Sequence, residues 1–121
     1  MFFIQNIMVV WGVLFLMSKE KNIQDHILKD LRSYGRYCEC FKIIKSSDSG
    51  EMDIFFTTKI TGAVFLEVKK PGERPSKLQE YKIQKMNDCG TKAFYCDSIE
   101  SWENLKSLIG LFKHNITLLC K

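Results

Sequence analysis

Ala63-Val64-Phe65-Leu66-Glu67-Val68-Lys69 is the stretch on which the reading of this chain turns. Its β-branched and aromatic content reads as a strand. Side chains alternate across a strand, so Ala63, Phe65, Glu67 and Lys69 share one face, and Val64, Leu66 and Val68 share the other. Both faces are apolar until the far end, which predicts a central strand covered on both sides. A similar run, Asp53-Ile54-Phe55-Phe56-Thr57-Thr58, precedes it across a short turn at Lys59 to Gly62. If that turn is centred near Ile60, Asp53 falls opposite Glu67. Directly opposed residues have Cβ atoms roughly 5 Å apart, where like charges are unfavourable. A divalent cation reverses the sign of that interaction, because hard cations take carboxylate oxygens. Lys69 stands one step further along the same face. Two carboxylates and a lysine around one ion can activate a water and stabilise phosphoryl charge. Glu-x-Lys alone is common, and a salt bridge on a solvated face is its simplest account. The apolar neighbours Phe55, Phe65 and Ala63 weaken that account.

The rest of the chain builds outward from this hairpin. Its 121 residues suit one domain, long enough to bury a core without staples. A hydrophobic fraction of 45% and an aromatic fraction of 12% exclude a disordered chain. The formal charge of +4 permits a polyanionic partner without demanding one. Cys38, Cys40, Cys89, Cys96 and Cys120 form an odd set without CxxC spacing, and the histidines are only His26 and His114. That argues against zinc and against a disulfide framework, and for a reducing compartment, the cytoplasm (of a host cell if the chain is viral). The thiols read as small buried hydrophobes.

Residues 2–17 are nearly all apolar but fall short of the roughly 20 residues a spanning helix needs. They lack the basic start and small-residue cleavage site of a signal peptide. They read first as an upstream extension, with Met17 as the true start, and otherwise as a membrane anchor or a packing segment. The domain proper is 18–121. Ser18 is a candidate N-cap; Ile23, Ile27, Leu31 and Tyr34 recur at helical spacing, and Gly35 ends the helix. Glu20 and Gln24 lie on that same inward stripe, where a carboxylate is unusual without a partner. Helix N-termini also favour acids, which is the structural account of Glu20. Tyr37 to Lys45 is a strand of mixed polarity, and Ser46 to Gly50 is a loop. Lys42 can reach a phosphate or simply be solvated, and the same holds for Lys70 and Arg74 in the Lys70–Pro75 loop. Ser76-x-x-Gln79 fits a capping box and opens a basic helix bearing Lys77, with Leu78, Tyr81, Met86 and Cys89 as its core stripe and Gly90 as its stop. Thr91 to Asp97 is another strand. Ser98 to Leu111 is a helix with Ile99, Trp102, Leu105, Leu108 and Ile109 inward.

Four motifs now stand in order: Glu20, Gly50-Glu51-Met52-Asp53, Glu67-Val68-Lys69 and Ser76-Lys77-Leu78-Gln79. Asp53 with Glu67-Val68-Lys69 resembles the signature of the PD-(D/E)XK nuclease superfamily. More narrowly, the order resembles the virus-type replication-repair nuclease (VRR-NUC) domain over about residues 18–99. That family runs a helix-borne Glu, Gly-x-Pro-Asp, Glu-Val-Lys and Ser-x-x-Gln. Met52 departs from it, standing where proline is usual, which loosens the turn before Asp53. The resemblance implies an α/β restriction-endonuclease-like sandwich, a mixed central sheet flanked by helices in the order α-β-β-β-α-β-α. It implies a Mg²⁺-dependent endonuclease, with Mn²⁺ able to substitute. Asp53, Glu67 and the Val68 carbonyl would hold the metal, Lys69 would act on the attacking water, and Glu20 and Gln79 would border the site. Lys42, Lys70, Arg74 and Lys77 would meet the nucleic acid. Small free-standing members resemble phage Holliday-junction resolvases, which implies branched DNA as the partner and a homodimer as the working unit. Flap or linear-DNA nucleases of the same superfamily, or a silent nucleic-acid-binding module, are the alternatives.

Overall fold

A computed structural model of the chain describes residues 19–44 and 52–112. Expectations that fall on residues 2–17, Ser18, the loop 46–50, His114 and Cys120 lie outside these. The elements are α1 (Glu20–Arg32), a 3₁₀ turn (Gly35–Tyr37), β1 (Cys38–Lys42), β2 (Ile54–Thr58), β3 (Gly62–Val68), α2 (Lys77–Asp88), β4 (Lys92–Cys96) and α3 (Ile99–Ile109). The order matches the expected α-β-β-β-α-β-α. Boundaries differ by a residue or several. Lys19, not Ser18, occupies the N-cap of α1 and makes no side-chain cap. β1 is shorter than predicted at both ends, because Tyr37 belongs to the 3₁₀ turn and the ladder stops at Lys42.

The four strands lie in the order β1-β2-β3-β4. β1 with β2 and β2 with β3 are antiparallel, and β3 with β4 is parallel, so the sheet is mixed. The hairpin register is Thr58↔Gly62, Phe56↔Val64 and Ile54↔Leu66, the pairing expected for a turn centred on Ile60. The turn is held by its threonines. Thr58 Oγ1 and Thr61 Oγ1 lie 2.8 Å apart, the Thr61 N–H donates to Thr58 Oγ1, and Gly62 takes the positive φ that closes it. Lys92 Nζ donates to the Thr61 carbonyl and ties β4 to the same turn.

One face of the sheet carries Ile54, Phe56, Val64, Leu66 and Val68, all fully buried. α1 packs on it through Ile23, Ile27 and Leu31, and α3 through Trp102, whose ring meets Phe56 edge-on at 5.9 Å. Each such side chain contributes about 1.5–3 kcal/mol by leaving water. α1 and α3 are clamped together by Asp30, which accepts from Trp102 Nε1 at 2.8 Å and Lys106 Nζ at 2.6 Å. Burial works against the charge on Asp30, but the Lys106 and Trp102 hydrogen bonds outweigh it and hold the carboxyl below its ordinary value.

The other face departs from the expected full covering. Phe41, Phe55 and Phe65 form a ring ladder across β1, β2 and β3, with centroids 4.9 and 5.2 Å apart, and Phe41 is 50% exposed. α2 covers the β3–β4 side only. It has no fully buried residue, and Leu78, Tyr81 and Cys89 are exposed, so the predicted core stripe of this helix is not a core stripe. Polar bonds seat α2 instead: Asn87 Nδ2 donates to the Ala93 carbonyl and Gln79 Nε2 to Glu67. On α3 Trp102 and Leu105 are buried and Ile109 packs half-buried against the core; Leu108, predicted inward, is 77% exposed. The described cysteines are free thiols, with Cys40 and Cys96 buried as expected, Cys38 half-buried and Cys89 exposed. Burial pushes the Cys38 and Cys96 thiols up to about 12, which leaves them inert.

Candidate active site

β1, β3 and β4 all run the same way, so their carboxyl ends gather at one edge of the sheet, where β2 begins. Asp53, Glu67, Val68 and Lys69 stand at that edge. Sheet pairing brings Asp53 to it from the start of β2 and the other three from the end of β3. The regular ladder stops at Ile54↔Leu66. One step further the Asp53 N–H donates to the Leu66 carbonyl at 2.9 Å, and Asp53 Oδ2 accepts from the Val68 N–H at 2.8 Å. The Asp53 carboxylate therefore straps across the end of β3 rather than simply lying alongside Glu67. Met52, Asp53 and Ile54 are buried in succession, the mark of a chain bending inward where the strand begins. Asp53 is 4% exposed and Glu67 1%.

Two buried carboxylates at one sheet edge are costly unless compensated. Part of the compensation is visible. Glu67 Oε1 accepts from Gln79 Nε2 at 2.9 Å and lies 3.6 Å from Lys69 Nζ. Lys69 Nζ also lies 3.8 Å from Glu73 Oε1, one turn further along the chain. Gln79 makes two sets of bonds. Its Oε1 accepts from the Ser76 N–H and its N–H donates to Ser76 Oγ, closing the capping box of α2, while its amide nitrogen reaches Glu67. Glu73 is absent from the sequence-derived site. It reaches Lys69 because the chain turns back there, the Glu73 N–H donating to the Lys70 carbonyl, and four-residue spacing outside a helix gives no signal of that.

Glu20 lies in the first turn of α1, where its Oε1 accepts from Gln24 Nε2 at 3.5 Å. α1 ends where the 3₁₀ turn hands over to the start of β1, so it runs opposite to β1 along the sheet. Its 13 residues span about 20 Å, close to the length of the strands, so its first turn lies at the edge that holds Asp53 and Glu67. The contacts of α3 agree: Asp30 meets Trp102 and Lys106, and Tyr34 meets Leu111, so α1 and α3 run side by side in one direction. α3 starts just past the carboxyl end of β4, where Cys96 pairs with Val68. Glu20 is thus at the right end of the domain. It does not join Asp53 and Glu67 in one cluster: among the described residues no three His, Cys, Asp or Glu side chains gather to hold a metal. Two carboxylates and a backbone carbonyl remain, a hard-oxygen set that suits a cation keeping most of its water.

Lys70, Arg74 and Lys77 follow β3 through the loop and into α2, and Lys42 ends β1 at the same edge. All four are exposed. Arg74 Nη2 touches Glu80 Oε1 only at 4.0 Å, both side chains in water, a contact worth little. Among the described residues no helix is long and apolar enough to cross a membrane.

No protein-family model matches the chain, and no curated protein matches it. Among solved structures, one described as a VRR_NUC domain superposes with a TM-score of 0.66 at 21% identity, covering 74% of this chain and 96% of that one. At that identity the likeness establishes the fold.

Proposed function

We propose that this chain, which has the fold of a VRR-NUC domain, is a Mg²⁺-dependent endonuclease that hydrolyses phosphodiester bonds in branched DNA. One observation carries the reading: Asp53 and Glu67 are both buried at one sheet edge, with Lys69 and Gln79 beside Glu67. A fold does not bury two carboxylates without return, and buried carboxylates gathered at one sheet edge beside a lysine are candidates for function. Asp53, Glu67 and the Val68 carbonyl would hold the ion. When bound, Mg²⁺ supplies a Lewis acid for the scissile phosphate and lowers the pKa of water beside it.

The protein's own groups do the rest. The Val68 N–H fixes the Asp53 carboxylate, and Gln79 fixes that of Glu67, so both acceptors are aimed before substrate arrives. Lys69 places a positive point charge beside Glu67, where it can hold the attacking water or a phosphate oxygen. Lys42, Lys70, Arg74 and Lys77 rim the same edge and would neutralise flanking phosphates. The working unit in this reading is a homodimer, since one cluster cuts one strand and a junction needs two symmetric cuts.

A cleavage panel tests this: four-way junction, flap, linear duplex and single strand, each with Mg²⁺, Mn²⁺ or chelator. Paired incisions in the junction that need metal are expected. Cleavage indifferent to chelator removes the mechanism. Preference for flaps or linear ends moves the substrate within the same chemistry, and a monomer by sedimentation on and off junction DNA removes the paired cut.

A further inference from the structure

α1 carries an anomaly at its active-site end. Gln24 is 6% exposed, and its Oε1 has no hydrogen-bond partner among the described residues. Among these its amide nitrogen donates to Glu20 alone, at 3.5 Å. Ile23 and Ile27 beside it are fully buried, so the side chain is pinned on the inward stripe and cannot turn to bulk water. Buried polar atoms are almost always paired, with protein or with ordered water. Gln24 lies one turn in from Glu20, at the end of α1 that packs toward the sheet edge where β3 ends.

We infer that Gln24 is a positioning residue: it orients Glu20 through its amide nitrogen and holds an ordered water of the active site through Oε1. This rests on the nuclease reading above and adds to it a residue pair on α1 that works through solvent. The arrangement explains why Glu20 makes no direct cluster with Asp53 and Glu67. A carboxylate that shares a water with a neighbouring amide can act on the reacting centre from one water's width away, and it needs the amide to fix which way the water's protons point. The alternative is a structural water that merely fills space beneath the helix.

Two substitutions in the full chain separate these. Gln24→Met fills the same space with apolar atoms and removes the acceptor. Gln24→Ala removes the acceptor but leaves room for a second water to replace it. Midpoints of thermal unfolding are read in chelator and across a Mg²⁺ titration, and kcat and KM are read on the junction. Gln24→Met is expected to melt in chelator at or above wild type, because a buried unpaired carbonyl is gone. It should lose roughly ten- to a hundredfold in kcat with KM little changed, and need more Mg²⁺ for half-maximal thermal stabilisation. Gln24→Ala should be the less stable variant and yet the more active one. A structural water predicts the reverse pairing, with activity following the folded fraction and the Mg²⁺ titration unmoved, and that result overturns the inference. If wild type responds to Mg²⁺ through Asp53 while Gln24→Met cleaves as wild type does, this inference alone falls. If wild type shows no Mg²⁺ response at all, the nuclease reading falls with it.

Discussion

In the nuclease reading Asp53 ties stability and activity to one carboxylate, and two substitutions pull them apart. Opposed carboxylates repel, so the sequence by itself predicts that Asp53→Ala holds or raises stability in chelator. The structure reverses that sign. Asp53 Oδ2 accepts from the Val68 N–H at 2.8 Å, and Val68 is fully buried. Alanine leaves that N–H with no acceptor at the edge of the sheet. A hydrogen bond to a charged acceptor is worth about 1.5–3 kcal/mol, and the orphaned donor costs in the same range. For a domain of this size roughly 4 °C accompanies each kcal/mol, so Asp53→Ala should lower the midpoint in chelator by about 6–12 °C. Asp53→Asn keeps an oxygen for Val68 and sheds the charge, so its midpoint should stay within about 3 °C of wild type or exceed it. Both variants should lose cleavage, and both should lose the Mg²⁺-dependent rise in midpoint. The assay is differential scanning calorimetry with chelator and with Mg²⁺, beside the junction assay. Equal midpoints for alanine and asparagine would show that the Val68 bond does not pin the strand end. Cleavage by Asp53→Asn at the wild-type rate would remove Asp53 from the chemistry.

Three further outcomes follow from the same geometry. Lys69→Met should keep the Mg²⁺-induced rise in midpoint but lose roughly a hundredfold or more in kcat, since lysine is aimed at water or phosphate and is no metal ligand; loss of the metal response would contradict this. Gln79→Ala should cost about 1 kcal/mol through the capping box, whereas Gln79→Glu keeps the box but faces Glu67 with a second carboxylate, so it should be the less stable in chelator and the more rescued by Mg²⁺. Asp30→Ala should cost about 2–4 kcal/mol at neutral pH by urea unfolding, with Asp30→Asn nearer half of that because the Trp102 bond survives. The pH dependence has a definite sign. The Asp30 carboxyl is held below its ordinary 3.8, so its contribution is complete above pH 3.8 and fades as pH falls through the lower folded value. The gap between wild type and Asp30→Ala should therefore close in acid; a gap that stays constant contradicts the ionic account.

Sequence shows the hairpin and its charged edge because the physics there is local. Thr58, Thr61 and Gly62 fix a short turn, the turn fixes the register, and alternation then dictates which residues share a face. Charges that interrupt two apolar strands at matching positions can come together only at one end of the sheet. What sequence does not show are the contacts made by elements arriving from elsewhere. Helical spacing selected Leu78 and Tyr81 as a buried stripe, but spacing identifies a face without saying what lies opposite. α2 rests on the sheet through Gln79 and Asn87, leaving those apolar side chains in water. The clamp of Asp30 on Trp102 and Lys106 joins residues more than 70 apart and has no local signature. Nor could alternation show that the chain bends at Asp53, which turns a facing pair of carboxylates into a strap across β3.

The same distinction separates the two polar residues on the inward stripe of α1. Glu20 has a sufficient local account, since a first-turn carboxylate complements its helix N-terminus wherever that helix packs. Gln24 has none. A neutral amide one turn further in gains nothing from the helix dipole, and its one side-chain hydrogen bond among the described residues, to Glu20, leaves Oε1 unsatisfied. A leucine there would continue the stripe of Ile27 and Leu31 and bury more apolar surface. Keeping an amide forgoes that, and the forgone stability is intelligible only if the carbonyl meets something polar at the sheet edge. Position along the helix then decides what that is. One turn closer to the 3₁₀ turn, the partner would be the hydrophobic core; at this level, in the inference drawn above, it is the solvent of the Asp53–Glu67 edge. The amide and the two strand carboxylates are thus polar exceptions of one kind, each interrupting an apolar pattern and each doing so at the same end of the domain.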